Sequence, residues 1–234
     1  MCDNENKNKN TNLKKYGVRI IGREEELLEI GKNKGKNKDI EYKIIVIGDN
    51  LTGKTSFCNR FALNKFDLEE QPSTEINCYV KTIILFEKEI KIFLLDIETV
   101  PISPLDEEEE EEIYKDINGI IVLYDITQYE SFEQIEKLVN KAKKKSDLKN
   151  NNNIPIFMIG NKNDLKFLRN IDFAEAKGKA AKLGYELKEI NCNKDEEGVN
   201  NIMKLMISKI YFNNLNKEEK EKIRNKAKEY LDKK

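Results

Sequence analysis

The chain has 234 residues, 38% hydrophobic and 36% charged, with a formal net charge of -1 and a mean hydropathy of -0.70. That balance offers no general attraction to nucleic acid, and no apolar run reaches the ~20 residues of a membrane span. No signal-peptide pattern opens the sequence, so a soluble, cytoplasmic protein is expected. The four cysteines (Cys2, Cys58, Cys78, Cys192) form no C-x-x-C pair, and there is no histidine. Zinc sites and His-based acid-base chemistry are thereby excluded, and free thiols in a reducing compartment are expected.

Residues 1–40 are rich in Asn and Lys and are expected to be largely disordered, apart from an amphipathic stretch, Val18 to Ile30, that fits a helix. A β-branched run from Tyr42 to Gly48 then reads as a buried strand, and it stops in G-D-N-L-T-G-K-T over residues 48–55. This is the spacing of a phosphate-binding loop. Gly48 and Gly53 permit backbone conformations closed to other residues. The N–H groups from Gly48 through Asp49, Asn50, Leu51, Thr52 and Gly53 can then turn inward onto a polyphosphate. Lys54 is placed to reach the β- and γ-phosphates, and Thr55 supplies a hydroxyl for Mg²⁺, at the head of a helix running to Asn64.

Cys78 to Phe86 and Ile90 to Asp96 follow as strands close enough to pair through Phe86-Glu87-Lys88-Glu89. From Asp106 to Glu112 the chain carries seven adjacent carboxylates, whose mutual repulsion and hydration disfavour a packed helix. A solvated loop and a docking site for a basic partner both stay open there. The next candidates are a strand from Gly119 to Ile126, a helix from Ser131 to Lys145 and a loop at Asn150 to Asn153.

The strand Ile154 to Gly160 delivers Asn161-Lys162-Asn163-Asp164, the pattern N-K-x-D. A carboxylate such as Asp164 at a strand end can accept from the N1–H and exocyclic amine of guanine, a donor pair adenine lacks. Asn161 would tie this loop to the phosphate loop, and the stem of Lys162 would cover one face of the base. Helices from Asp172 to Leu183 and from Gly198 to Phe212, with a strand from Tyr185 to Ile190 between them, complete the alternation. Residues 213–234 read as a charged, solvated helical tail with i,i+4 pairs. For both ends, plain solubilising extensions and partner-binding segments remain alternatives.

Strands separated by helices, joined by right-handed crossovers, give an α/β fold. The expected sheet is six-stranded and mainly parallel, with one antiparallel edge pair and helices on both faces. Ligands of such sheets bind at the strand ends, where both motifs fall.

Residues 41–212 resemble the Ras superfamily of small GTPases, the Rab branch most closely, a P-loop NTPase small G-domain. The resemblance rests on G-D-N-L-T-G-K-T-S at 48–56, ending in Ser56, on R-F at 60–61 and on I-Y-K-D-I-N-G-I-I-V-L-Y-D-I-T at 113–127. S-F at 131–132 and G-N-K-N-D at 160–164 complete it. It implies GTP or GDP with Mg²⁺ as ligands. It also implies an aromatic contact to guanine from Phe66, and a first-switch hydroxyl on the metal from Ser73, with Thr74 one residue away. Asp96 would hold the metal through a water. Cys192-Asn193-Lys194 stands where a backbone N–H meets the guanine carbonyl. Lys54 and Ser73 would then carry any catalysis.

The sequence departs from the family at the second switch, where Leu95-Asp96-Ile97-Glu98-Thr99-Val100-Pro101 replaces W-D-T-A-G-Q-E. The γ-phosphate-sensing Gly becomes Thr99, and the water-orienting Gln becomes Val100. The aromatic cluster that greets Rab effectors is reduced to Cys78, Leu95 and Tyr114. No cysteine stands near Lys234, and position 2 is Cys rather than Gly, so membrane association is expected only through a partner or Cys2. Two functions remain open. One is a regulatory GTPase of slow turnover in vesicle trafficking, with its protein regulators unidentified. The other is a pseudo-GTPase scaffold that holds nucleotide without cycling.

Overall fold

The β-branched runs of the sequence become the inner strands of one sheet, because a parallel strand covered on both faces needs apolar side chains at every position. The computed structural model describes residues 18–22, 40–66, 76–97, 107–146 and 154–231. In chain order the strands are β1 (Arg19–Gly22), β2 (Ile40–Gly48), β3 (Asn77–Leu85), β4 (Lys88–Asp96), β5 (Gly119–Asp125), β6 (Ile156–Asn161) and β7 (Glu186–Glu189). The helices are α1 (Lys54–Leu63), α2 (Glu107–Tyr114), α3 (Tyr129–Glu133), α4 (Ile135–Lys145), α5 (Phe173–Leu183), α6 (Glu196–Asn214) and α7 (Lys217–Leu231). Among the described residues the sheet order is β1-β3-β4-β2-β5-β6-β7, with β3 and β4 antiparallel and every other pair parallel.

Strand alternation divides the core between the two faces. Ile45, Ile47, Phe93, Leu95, Ile120 and Val122 pack with Ile113 of α2, Ile135 and Val139 of α4 and Ala176 of α5. Ile44, Val46, Leu94, Ile121 and Leu123 pack on the other face with Phe57 and Phe61 of α1 and with Met203, Met206 and Ile207 of α6. The sheet is thus sandwiched, as expected. At its lower edge, the starts of β5 and β6 meet the end of α6 in a cleft lined by Ile117, Asn118, Ile154, Pro155, Ile210 and Asn213.

Four expectations are corrected. Six strands were expected, and there are seven among the described residues. The extra one, β1, lies in the stretch read as a helix: Arg19 to Gly22 pair in register with Asn77 to Val80 at the open edge of β3. An unpaired strand edge overrides a weak helical periodicity, and residues 23–30 of that stretch lie outside the described residues.

The acidic run is helical from Glu107 rather than a loop, and Asp106 lies outside the described residues. Glutamate is a good helix former, and this helix finds cations. Glu110 pairs with Lys145 and Lys141 of α4, the latter at 3.1 Å. Burial pushes the Glu110 carboxyl up, but the two ammonium groups outweigh it and hold the group below its ordinary value. At the other end of α2, Lys43 Nζ donates to the carbonyls of Glu112 and Lys115 at 3.1 Å each, satisfying two acceptors of the last turn. Burial pulls the Lys43 ammonium down to about 8.

The third correction concerns the hairpin. Its loop is the two-residue turn Phe86-Glu87, with φ of 53° and 60°, and β4 already begins at Lys88. Left-handed values at both positions match the strand twist but suit Asn-Gly better than Phe-Glu. The Phe86 ring stacks on Tyr211 of α6 at 5.1 Å, which holds the turn in place.

The helix expected from Ser131 to Lys145 starts earlier, at Tyr129, and is divided at Gln134. In the C-terminal segment, Asn216 and Glu219 exchange hydrogen bonds of 2.9 and 3.0 Å as a capping box, starting α7. No described helix is long and apolar enough to cross a membrane.

Candidate functional site

The chain leaves β2 at Gly48 and enters α1 at Lys54, and both glycines of the intervening loop are forced by close approach. A Cβ on Gly48 would stand 2.6 Å from the Leu123 carbonyl and 2.8 Å from Thr52 Oγ1. Gly53 has φ of 93°, and a Cβ there would collide with Asn161 Nδ2. The Asp49 carbonyl gathers the loop, accepting from Thr52 Oγ1 at 2.8 Å and from Lys54 Nζ at 3.1 Å. Asp49 Oδ1 accepts from the Asn50 N–H at 2.8 Å, and Leu51 forms the exposed tip in a left-handed conformation. Lys54 is 3% exposed, so its ammonium lies across the loop rather than in solvent.

The first helical hydrogen bond is Phe57 N–H to the Gly53 carbonyl, at 2.9 Å. The amides of Lys54, Thr55 and Ser56 therefore lie outside the helical ladder, at the positive end of the helix dipole. Together with Lys54 they form a cradle of donors suited to an anion.

Asn161, at the end of β6 and 3% exposed, is the joint of the site. Its Nδ2 donates to the Thr52 carbonyl at 2.9 Å, and its Oδ1 accepts from the Cys192 N–H at 3.2 Å. One side chain thus holds the phosphate loop and the loop after β7 together. Lys162 is left-handed, with φ of 65°, and its Nζ meets Asp125 Oδ2 at 2.7 Å. Asp125 Oδ1 accepts from the N–H and hydroxyl of Thr127 at 2.8 and 2.7 Å, which fixes the carboxylate that steers Lys162.

Asp164 lies exposed in the 3-10 segment Asn163–Leu168. That segment is anchored by Asn163 N–H to the Ile190 carbonyl at 3.0 Å, and the two-pronged pair of Arg169 with Glu189, at 2.8 and 2.7 Å, sits at its end.

In the loop after β7, the Asn193 N–H donates to Asn191 Oδ1 at 2.9 Å, and the Lys194 N–H to the Asn191 carbonyl at 3.1 Å. The Cys192 amide is engaged by Asn161, and burial pushes its thiol up to about 12, so it stays neutral. A carbonyl reaching this loop must therefore displace Asn191 from Asn193. Asp96 sits fully buried at the end of β4, in register with Val46 of β2 and Asn77 of β3. On α1 the Cys58 thiol is pushed up by burial first and then by the Asp96 charge. Ser73, Thr74 and the second-switch positions Glu98, Thr99, Val100 and Pro101 lie outside the described residues.

Two residues that sequence reasoning did not single out complete the site. Arg60 of α1 donates from Nε to the Cys192 carbonyl at 3.0 Å and from Nη2 to the Asn193 carbonyl at 2.6 Å. Its guanidinium also lies 5.8 Å from the centre of the Phe66 ring, joining that aromatic to the loop. Asp125 is the other. The R-F and Y-D-I-T motifs contained both, but only as parts of a resemblance.

A mainly parallel sheet that carries a G-x-x-x-x-G-K-T turn and brings an N-K-x-D loop against it has the architecture of a phosphate-loop domain. The sequence model of the Ras family matches residues 43–212, and the chain belongs to that family. Among known proteins it is similar to Ras-related protein Rab11B of Nicotiana tabacum and Ras-related protein RABA1g of Arabidopsis thaliana. Each is 29% identical over 143 residues, covering 59% of this chain and 61% of the relative. The match therefore spans less than two thirds of those relatives. Ras-related protein RABA4b of Arabidopsis thaliana is 27% identical over 184 residues, 76% of this chain and 77% of its own. The chain is thus a member of the Ras family that is similar in sequence to Rab-related proteins.

Proposed function

We propose that this chain binds GTP and GDP as a regulatory switch with slow intrinsic hydrolysis, and acts in vesicle trafficking. The observation that carries the reading is the Asn161 joint, which sets the Asp164 loop against the phosphate loop at 2.9 Å. A donor cradle for phosphates and a carboxylate for guanine then share one edge of the sheet. Lys54 and the amides of Lys54 to Ser56 stabilise phosphate charge, Lys162 covers the base, and Asn193 gives its N–H to the guanine carbonyl once Asn191 yields. Phe66, held at Arg60, flanks the base. The oxygens of Thr55, Ser73 and Asp96 suit a hard cation, and Mg²⁺ bound with the nucleotide would neutralise charge on the β- and γ-phosphates.

A second reading, a pseudo-GTPase that holds nucleotide as a fixed ligand, is favoured by Thr99 and Val100. With no Gln at Val100 to orient water, hydrolysis is expected at or below the order of 10⁻⁴ s⁻¹.

Identifying the nucleotide carried through purification, and titrating it with GTP and ATP, tests the first reading. ATP binding as tight as GTP would sink it, and Asp164→Asn should shift preference toward xanthine nucleotides. Single-turnover hydrolysis separates the two readings. Val100→Gln combined with Thr99→Gly should raise the rate of a competent switch and leave a fixed-ligand scaffold unchanged.

A further inference from the structure

Among the described residues ten large apolar side chains are exposed, and half of them gather at one corner of the molecule. Phe167 is 91% exposed, Leu168 68% and Phe173 51%, with Leu165 and Tyr129 exposed beside them. Four of the five lie between Leu165 and Phe173 in the chain. Tyr129 joins them through its hydroxyl, which donates at 2.8 Å to Glu175 Oε1, two residues past Phe173. Neither the core nor the phosphate cradle uses any of these side chains.

The backbone beneath the patch is anchored on both sides. Asn163 N–H donates to the Ile190 carbonyl at 3.0 Å, and the N–H groups of Asn170 and Ile171 both donate to the Ile126 carbonyl, at 2.9 and 3.2 Å. Arg169 grips both oxygens of Glu189 and gives a further bond to the Ile171 carbonyl at 3.1 Å, and the Ile171 side chain is fully buried. The apolar side chains cannot turn inward without breaking these bonds. A surface held in this way loses little conformational freedom when it is covered.

Area and charge indicate what covers it. At roughly 150 to 250 Å² per aromatic side chain, the three aromatics present about 350 Å², and the two leucines raise the patch to about 500 Å². Two such patches face to face bury about 1,000 Å², the least that a specific contact between proteins needs. On the rim, Asp172 and Glu175 stand with Lys166 and Lys177, all exposed. An anionic bilayer attracts only one of these signs. A second copy turned about a two-fold axis can set each sign against its opposite.

We infer that this corner is a self-association surface, and that its occupant is a second copy of this chain, with Phe167 and Leu168 at the centre of the contact. Exposed aromatic anchors on a rigid base supply the affinity, and the mixed rim supplies the register. An interface of this size gives a weak dimer, with a dissociation constant of about 1 to 100 µM. No residue of the phosphate loop takes part, so the dimer is expected whether or not nucleotide is bound.

Sedimentation equilibrium of the full-length chain from about 1 to 300 µM tests it. The wild type should pass from monomer to dimer over that range. Phe167→Ser combined with Leu168→Ser should raise the dissociation constant at least about tenfold, and Phe173→Ser alone at least about threefold. Each variant should keep the circular dichroism melt of the wild type, because the side chains removed are exposed. Ile84→Ser, which removes an exposed apolar side chain from β3, should leave the dimer unchanged.

A chain that stays monomeric throughout, or a dimer that survives the double variant and Phe173→Ser alike, would overturn the assignment. So would a dimer weakened as much by Ile84→Ser. Wild-type chain that pellets with phosphatidylserine vesicles, and loses that binding in the serine variants, would make a membrane the occupant and overturn it as well.

Discussion

Replacing Asn161 with alanine strips the joint of the site while leaving β6 intact. Two partners lose their bonds, the Thr52 carbonyl at 2.9 Å and the Cys192 N–H at 3.2 Å, and both residues are at most 2% exposed. Water does not reach either group readily, so each carries the cost of a buried unsatisfied polar atom, about 1 to 3 kcal/mol. Together they predict a loss of about 2 to 6 kcal/mol, or about 4 to 24 °C in melting temperature for a domain of this size. Chemical denaturation followed by far-UV circular dichroism measures it, since the chain has no tryptophan.

Asn161→Asp sharpens the test. The introduced carboxylate still accepts from Cys192 but faces the Thr52 carbonyl with an oxygen, and it brings a buried charge. It should be more damaging than alanine at pH 7. As pH falls the carboxyl protonates and regains a donor for Thr52, so the gap should narrow. Losses under about 0.5 kcal/mol for alanine, or an Asp variant insensitive to pH, would refute the bridging role, because exposed bonds alone are worth that little.

Lys43 sets a pH dependence. The folded chain releases its proton near 8 and the unfolded chain near 10.5, so between those values the unfolded state binds more protons and stability rises with pH. Denaturation at pH 7.5 and 9.5 should show the wild type gaining on Lys43→Met at the higher pH, against a loss common to both from the buried thiols of Cys58, Cys78 and Cys192, which keep their protons only in the folded chain. Arg60→Lys should not preserve the loop, since an ammonium cannot reproduce the fork to Cys192 and Asn193. Faster amide exchange at Asn193 to Asp195, and guanine-nucleotide release accelerated about tenfold or more, are the expected readouts. Glu87→Gly should stabilise the hairpin by about 0.5 to 1 kcal/mol by relieving a left-handed φ at an exposed side chain, and an unchanged denaturation midpoint would count against strain there.

What was legible in the sequence was what local chemistry decides. The run ending at Gly48 could only be a buried strand, and the loop to Lys54 carried its own glycine spacing. N-K-x-D was recognisable because it sits where a strand must stop. The misreadings share a cause. β1 is a strand because β3 has an open edge, and nothing in V-R-I-I-G announces that edge. The acidic run is helical because Lys43, Lys141 and Lys145 come to it from elsewhere in the chain, outweighing a repulsion that is visible locally. Arg60 meets its loop partners 132 and 133 residues away, a pairing only the fold makes.

The cleft near Pro155 and Asn213 shows which way up the molecule stands. α6 begins at Glu196, directly after the loop of Cys192 to Asp195, and its 19 residues run about 28 Å to the opposite end of the sheet. There the chain turns at Asn216 into α7. A single helix therefore connects the loop of Cys192 to Asp195 to the root of the tail. The root of α7 therefore lies at the end of the sheet opposite the loop that Arg60 and Asn161 clamp.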